Sequence, residues 1–219
     1  MQHFHMENYS VLSAMILCAS IAAGVRAATP AEDLFAKMEH HLRQLSSLEV
    51  VYKAEGEAFP ESGQAGRMVW TRPDGFFHDT PEWTLAQRGE ERWRYLKAQQ
   101  TLILEDVRED DPLMPEQVLF ALGRDVEPGA LETDPSEENA SKLTLIAALE
   151  EGSSSIWLWL NEGSITPFRL AWPLADGTVV TYRIEAWHED ILAPDSLFRP
   201  PEASHVINFR QSKESEGAR

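Results

Sequence analysis

The feature that most constrains this chain is a change of hydrophobic period at Leu48. Before it, Leu34, Met38, Leu42 and Leu45 recur at helical spacing, with Phe35 widening the stripe and Glu39, His40, Arg43 and Gln44 off it. After it, Leu48, Val50, Tyr52, Ala54, Gly56 and Ala58 fall on one side, and Glu49, Lys53, Glu55 and Glu57 mostly on the other. Side chains two apart share a strand face, so the second pattern predicts a half-buried strand. The helix has its own start signal: Thr29 as N-cap, Pro30 at the first helical position and Glu32 to complete a capping box.

Short strand-like segments then return along the rest of the chain. Residues 66–72 form the partner of the first strand, and 83–87, 91–96 and 101–106 continue the run. Turn signals at 60–64, Asp74-Gly75, Asp79-Thr80-Pro81 and Arg88-Gly89-Glu90 separate these segments. Asp110-Asp111-Pro112 stops this run, and 115–122 reads as a short helix. Its Val118, Phe120 and Leu122 cannot share one helical face, so it should touch its surroundings on more than one side. Residues 124–141 are acidic, broken by Pro128, Gly129 and Pro135, and read as a long exposed excursion. Strands resume at 142–149, 155–160, 166–172 and 179–187, the last two joined by Ala175-Asp176-Gly177, with a final short strand at 205–209. Short strands at this spacing make an antiparallel meander. A sheet of this length must curl. One domain with a curved sheet and helices on one side is the expected architecture.

Within the second strand, Met68, Trp70 and Arg72 point one way and Arg67, Val69 and Thr71 the other. An arginine therefore ends an apolar row. Two readings stand for it: an edge-strand arginine whose head reaches water, or a functional guanidinium whose acceptor lies elsewhere. Trp93 and Tyr95 share a face, and in Ile156-Trp157-Leu158-Trp159-Leu160 both faces are apolar, so that strand should be covered on both sides. With seven tryptophans and nine phenylalanines, the chain has enough apolar surface either for an ordinary aromatic core or for a lined cavity that shields an acyl chain.

Composition and motifs exclude several functions. A formal charge of −17 would repel nucleic-acid backbones and anionic membrane surfaces. There is no glycine-rich phosphate loop, no H-E-x-x-H and no cysteine pair, so no cofactor or metal site is expected. The adjacent His40 and His41 diverge on a helix and are poorly placed to share a metal. No serine has a nucleophile-elbow context, so catalysis is not expected, although a triad assembled in space is compatible with any sequence. The apolar run 11–25 followed by Val25-Arg26-Ala27 reads as a signal peptide over 1–27, leaving a mature domain of 28–219. That run is shorter than the ~20 residues of a spanning helix. The single cysteine, Cys18, lies within it and lacks a small residue just before it, so no lipid anchor is read.

The order of motifs resembles the LolA-type periplasmic lipoprotein carriers, including the looser group named outer-membrane lipoprotein-sorting proteins. The likeness runs from about Leu34 to Pro201. It rests on Leu45-Ser46-Ser47-Leu48, on Gly66 with Trp70-Thr71-Arg72-Pro73 and Phe76, and on Gly89 with Trp93, Tyr95 and Gln99. It continues through the 112–122 helix, Leu143-Thr144-Leu145, Ile156-Trp157-Leu158, and Phe198 with Pro200-Pro201. W-x-R-P-x-x-F is its most specific piece. The resemblance implies a single-domain α+β fold, an incomplete (half-open) antiparallel barrel of about ten to eleven strands with helices forming a lid over an apolar cavity. It further implies a non-catalytic, monomeric periplasmic carrier that shields the acyl chains of lipoproteins. Cargo would come from an inner-membrane ABC complex and pass to an outer-membrane acceptor. A carrier of another lipid, a sensing protein of the same fold and, more remotely, a hydrolase are the alternatives. The resemblance gives Arg72 the role of lid latch, with the 112–122 helix as the expected partner. Met68, Trp70, Phe76, Trp93, Tyr95, Val118, Phe120, Leu122, Trp157 and Trp159 are the expected lining.

Overall fold

A computed structural model of the chain describes residues 27–56, 64–108, 111, 113–122, 125–147 and 155–210. Residues 1–26 of the expected signal peptide 1–27 and most of the 60–64 turn lie outside the described residues. Helix α1 (Pro30–Gln44) begins as its sequence demands: Thr29 Oγ1 accepts from the Glu32 amide at 3.2 Å and the Glu32 carboxylate accepts from the Thr29 amide at 2.6 Å. Its buried face is Ala31, Phe35, Met38 and Leu42.

The first half of the chain forms β1 (Ser47–Glu55), β2 (Gln64–Thr71), β3 (Gly75–Asp79), β4 (Trp83–Arg88), β5 (Glu91–Leu96) and β6 (Thr101–Asp106), each antiparallel to the next. A 3₁₀ helix (Pro115–Phe120) follows. Then come β7 (Val126–Thr133), β8 (Ala140–Ala147), β9 (Ser155–Asn161), β10 (Pro167–Pro173) and β11 (Val179–Glu189). A second 3₁₀ turn (Asp195–Phe198) leads to β12 (His205–Asn208). All twelve strands belong to one sheet, in the order β12-β6-β5-β4-β3-β2-β1-β11-β10-β9-β8-β7. The two meanders meet where β1 pairs with β11, and the ends of the sheet do not pair with each other. The sheet is open, as in an incomplete barrel.

Three expectations need correction. Among the described residues there are twelve strands rather than ten or eleven, and β12 runs parallel to β6, so the sheet is not wholly antiparallel. The extra strand is β7, taken from the stretch read as an exposed excursion. Pro128 and Gly129 hid it, and both sit at a register shift in its pairing with β8, on the outermost strand, where a missing ladder donor is tolerated. The 112–122 helix is only a 3₁₀ turn over Pro115–Phe120.

The sheet has an inner and an outer face. Buried residues of β1, β2, β3, β4, β8, β9, β10 and β11 form one cluster with α1 and the first 3₁₀ helix. That so many strands share one core with a single 15-residue helix is the consequence of the sheet's curl. On the outer face Val69, Phe77, Ala86, Trp93 and Leu102 form a second cluster, covered by Ile191, Ala193, Leu197, Phe198 and Ala203. The segment after β11 is therefore structural: the Trp93 indole N–H donates to the Phe198 carbonyl at 2.9 Å, and Arg88 pairs with Asp195 at 2.8 Å. Among the described residues no helix is long and apolar enough to cross a membrane.

Candidate site on the inner face

Arg72 follows the last residue of β2 and sits at the rim of the inner face. Its Nε donates to the Leu45 carbonyl at 3.0 Å and its Nη2 to the Leu42 carbonyl at 2.9 Å. Those are carbonyls of the final turn and C-cap of α1, where a helix lacks donors of its own, and a cation is also favoured there by the helix dipole. The expected latch partner is thus corrected: Arg72 binds the end of α1 rather than the 112–122 segment by hydrogen bond. The 3₁₀ helix still lies close, with the Phe120 ring centroid 6.0 Å from the guanidinium carbon. Of the edge-strand reading the edge placement does not hold, because β2 lies between β1 and β3, whereas Arg72 itself is exposed.

Beneath Arg72, Trp70 stacks on Phe120 with centroids 5.0 Å apart and planes 3° from parallel, and lies 5.6 Å from Phe76. The Trp70 indole nitrogen is buried and has no hydrogen-bond partner among the described residues. These rings and Arg72 line one wall of a cleft of about 1390 Å³, whose other wall is polar and includes Arg92 and Glu105. Two further ties hold the end of α1. His41 Nε2 lies 2.8 Å from Glu189, and the Ser46 amide and hydroxyl both donate to Asp190, at 2.7 and 2.9 Å. Those bonds hold the Glu189 and Asp190 carboxyls below their usual range.

Met68, Trp70, Phe76, Val118 and Leu122 belong to the inner cluster and Phe120 packs against it. Trp93, Tyr95, Trp157 and Trp159 are not brought to this face. Trp93 and Tyr95 belong to the outer cluster. Leu158 and Leu160 point inward, so Trp157 and Trp159 point outward, where Trp159 stacks on Arg169 at 3.9 Å and Trp157 lies 5.9 Å from the Lys142 ammonium. Arg169 in turn bridges Asp134 and Glu137, so this tryptophan pins the β7–β8 turn. The inner face along α1 is filled rather than hollow: Met38, Leu48, Val50, Leu143 and Leu158 are all at most 1% exposed.

One group of inner-face residues was not anticipated. His78, from β3, is 1% exposed. Its Nε2 lies 2.5 Å from the Tyr52 hydroxyl and its Nδ1 3.9 Å from Glu116 of the 3₁₀ helix. The Tyr182 hydroxyl donates to Glu116 at 3.1 Å, and the Tyr52 and Tyr182 rings stack 3.9 Å apart. Burial pushes His78 down to about 3, so it is neutral at ordinary pH. Burial first, and then the charge on Glu116, push both tyrosines up. Gly66 makes this possible: a Cβ there would run into the Tyr52 ring, which covers the bare backbone of the neighbouring strand. The available signal was a histidine two residues after Phe76, on the same face of the strand.

The fold and site together define a class: an incompletely closed sheet whose inner face is covered by one helix clamped at its C-terminal end. No family model matches the sequence, and no curated protein matches it. Solved structures do show similarity. An uncharacterised conserved protein from Thermus thermophilus superposes with a TM-score of 0.52 at 12% identity, over 82% of this chain and 99% of that one. A LolA superfamily protein from Nitrosomonas europaea gives 0.41 at 12% identity, over 79% of this chain and 99% of the other. The Mycobacterium tuberculosis lipoprotein LppX gives 0.36 at 10% identity, over 73% and 97%. At 12% identity the similarity to the Thermus thermophilus protein is one of fold alone.

Proposed function

We propose that this protein is a periplasmic, non-catalytic carrier of lipoprotein acyl chains, which take the place of α1 and the first 3₁₀ helix on the inner face of the sheet. In this reading it acts as a monomer, takes cargo from an inner-membrane ABC complex and delivers it to an outer-membrane acceptor. The observation that carries it is the way the cover is held. Phe35, Met38 and Leu42 are packed on an apolar sheet face, while polar ties to the sheet gather at the helix's C-terminal end, at Arg72 and the 189–190 corner. A cover of this kind can be exchanged for hydrocarbon at small net cost, because an acyl chain recovers ~0.8 kcal/mol for each CH₂ it buries. The Trp70 N–H beneath Phe120, without a partner among the described residues, supplies a donor for an ester or amide carbonyl of such a cargo.

The test is to incubate purified protein with a detergent-dispersed triacylated lipoprotein and remove the detergent. A soluble one-to-one complex with all acyl groups intact is the expected result. Release of free fatty acid would identify a hydrolase instead. Failure to retain any acylated ligand would refute carriage and leave the sensing alternative.

A further inference from the structure

A second pocket, of about 240 Å³, shares no lining residue with the cleft at Arg72. It opens where the ends of β1, β4, β10 and β11 meet the first 3₁₀ helix. Its walls include Tyr52, Trp83, Trp172 and Tyr182, with Glu116 from the 3₁₀ helix and Glu82 at the exposed rim. It is smaller than the ~300–1,000 Å³ of a site for a drug-sized molecule. No lysine or arginine lines it among the described residues. Lys97, near the rim, is held by Asp79 at 2.8 Å and by the Thr80 carbonyl.

We infer that this pocket binds an organic ammonium group, with the partly exposed Trp83 supplying the ring surface and Glu116 and Glu82 the countercharge. The alternatives fail on chemistry. An anion would meet two carboxylates and no cationic wall. A neutral apolar guest would bury against Ala54, Leu174 and Val180 but leave the two carboxylates without countercharge. A hard metal ion needs six or more oxygens, and no group of three or more His, Cys, Asp or Glu is placed to hold one among the described residues. An organic cation satisfies both kinds of wall at once, because a ring face attracts positive charge within about 6 Å and does so most strongly when the pair is desolvated. The deeper rings pack on one another, with Trp172 edge-on to Tyr182 at 4.9 Å and Tyr182 stacked on Tyr52, while Trp83, edge-on to His78 at 4.6 Å, stays partly exposed. The Tyr182 hydroxyl fixes one carboxylate oxygen of Glu116. The protein's charge of −17 raises the local concentration of any cation. Acyl carriage is not required for this inference, and its test uses no lipid.

The experiment titrates the full chain with choline and, separately, with 3,3-dimethylbutan-1-ol, which has the same shape without the charge. Calorimetry and tryptophan fluorescence read the outcome at matched ionic strength. Choline should bind saturably and the alcohol at least about tenfold more weakly, the size expected of a desolvated cation–ring contact. Trp83→Leu should weaken choline by about tenfold. Glu82→Gln, a rim change that leaves the core untouched, should weaken it by roughly two- to threefold, the scale of an exposed charge pair. Equal binding of the alcohol, no saturable choline binding, or unchanged affinity in folded Glu82→Gln together with folded Trp83→Leu would overturn the assignment.

Discussion

Arg72 and Leu42 lie thirty residues apart, and the 2.9 Å hydrogen bond between them ties the end of the second strand of the inner face to the last turn of the helix that covers it. With the Leu45 bond it makes a two-pronged clamp on carbonyls at the helix end, where intrahelical donors run out. A hydrogen bond to a charged group nets about 1.5–3 kcal/mol when well shielded, and less at this exposed rim.

Arg72→Leu should therefore leave the sheet folded while loosening α1. Amide exchange in the last turn of α1 should accelerate by about tenfold or more, consistent with the loss of roughly 1.4 kcal/mol, with β1 and β11 unchanged. A solvatochromic hydrophobic probe should bind the empty protein more readily, and Arg72→Lys should fall between, having the charge without the planar fork. Wild-type exchange in a folded Arg72→Leu protein would show that the clamp contributes nothing to closure.

Trp93 separates the two faces experimentally. Its indole N–H holds the Phe198 carbonyl and its ring lies under the 191–203 segment on the outer face. Trp93→Ala should lower stability by about 3–5 kcal/mol, in the range for truncating a buried aromatic, and should expose the segment after β11 to proteolysis. In material that remains folded, retention of an acylated ligand should match wild type. Lost retention with the segment still docked would return Trp93 to the ligand-binding face.

His78 sets a pH dependence whose sign follows from its burial. Its folded value of about 3 is below its ordinary 6.5, so the unfolded chain binds the extra proton first. Its contribution to stability is complete above pH 6.5 and is lost as pH falls from 6.5 toward 3, at up to about 1.4 kcal/mol per pH unit. Urea unfolding between about pH 7 and 4 should show this slope, and His78→Gln should flatten it. An equal slope in His78→Gln would assign the dependence to other groups.

Particular residues show what was legible in the sequence. Thr29, Pro30 and Glu32 fixed the start of α1 because capping is local, and the alternation from Leu48 to Ala54 fixed which side of β1 is buried. Alternation also showed that Trp157 and Trp159 share a face and that Trp93 and Tyr95 do. It could not say which face was inner, because that is decided by where α1 and the 191–203 segment dock. The partner of Arg72 is hidden from the sequence for a related reason: helix-end carbonyls are present in every helix, and choosing between two helices requires their positions. Tyr52, His78, Glu116 and Tyr182 come from four separate elements, so no spacing could have gathered them.

The most direct measurement of the acyl-binding surface is photocrosslinking. The protein would be loaded with a lipoprotein whose acyl chains carry a diazirine, irradiated, and the adducts located by mass spectrometry. Adducts on inner-face residues such as Met38, Leu48, Met68, Trp70 and Leu158 are expected. Adducts confined to Trp93, Trp157, Trp159 or the 191–203 segment would contradict the proposal that cargo replaces α1 on the inner face.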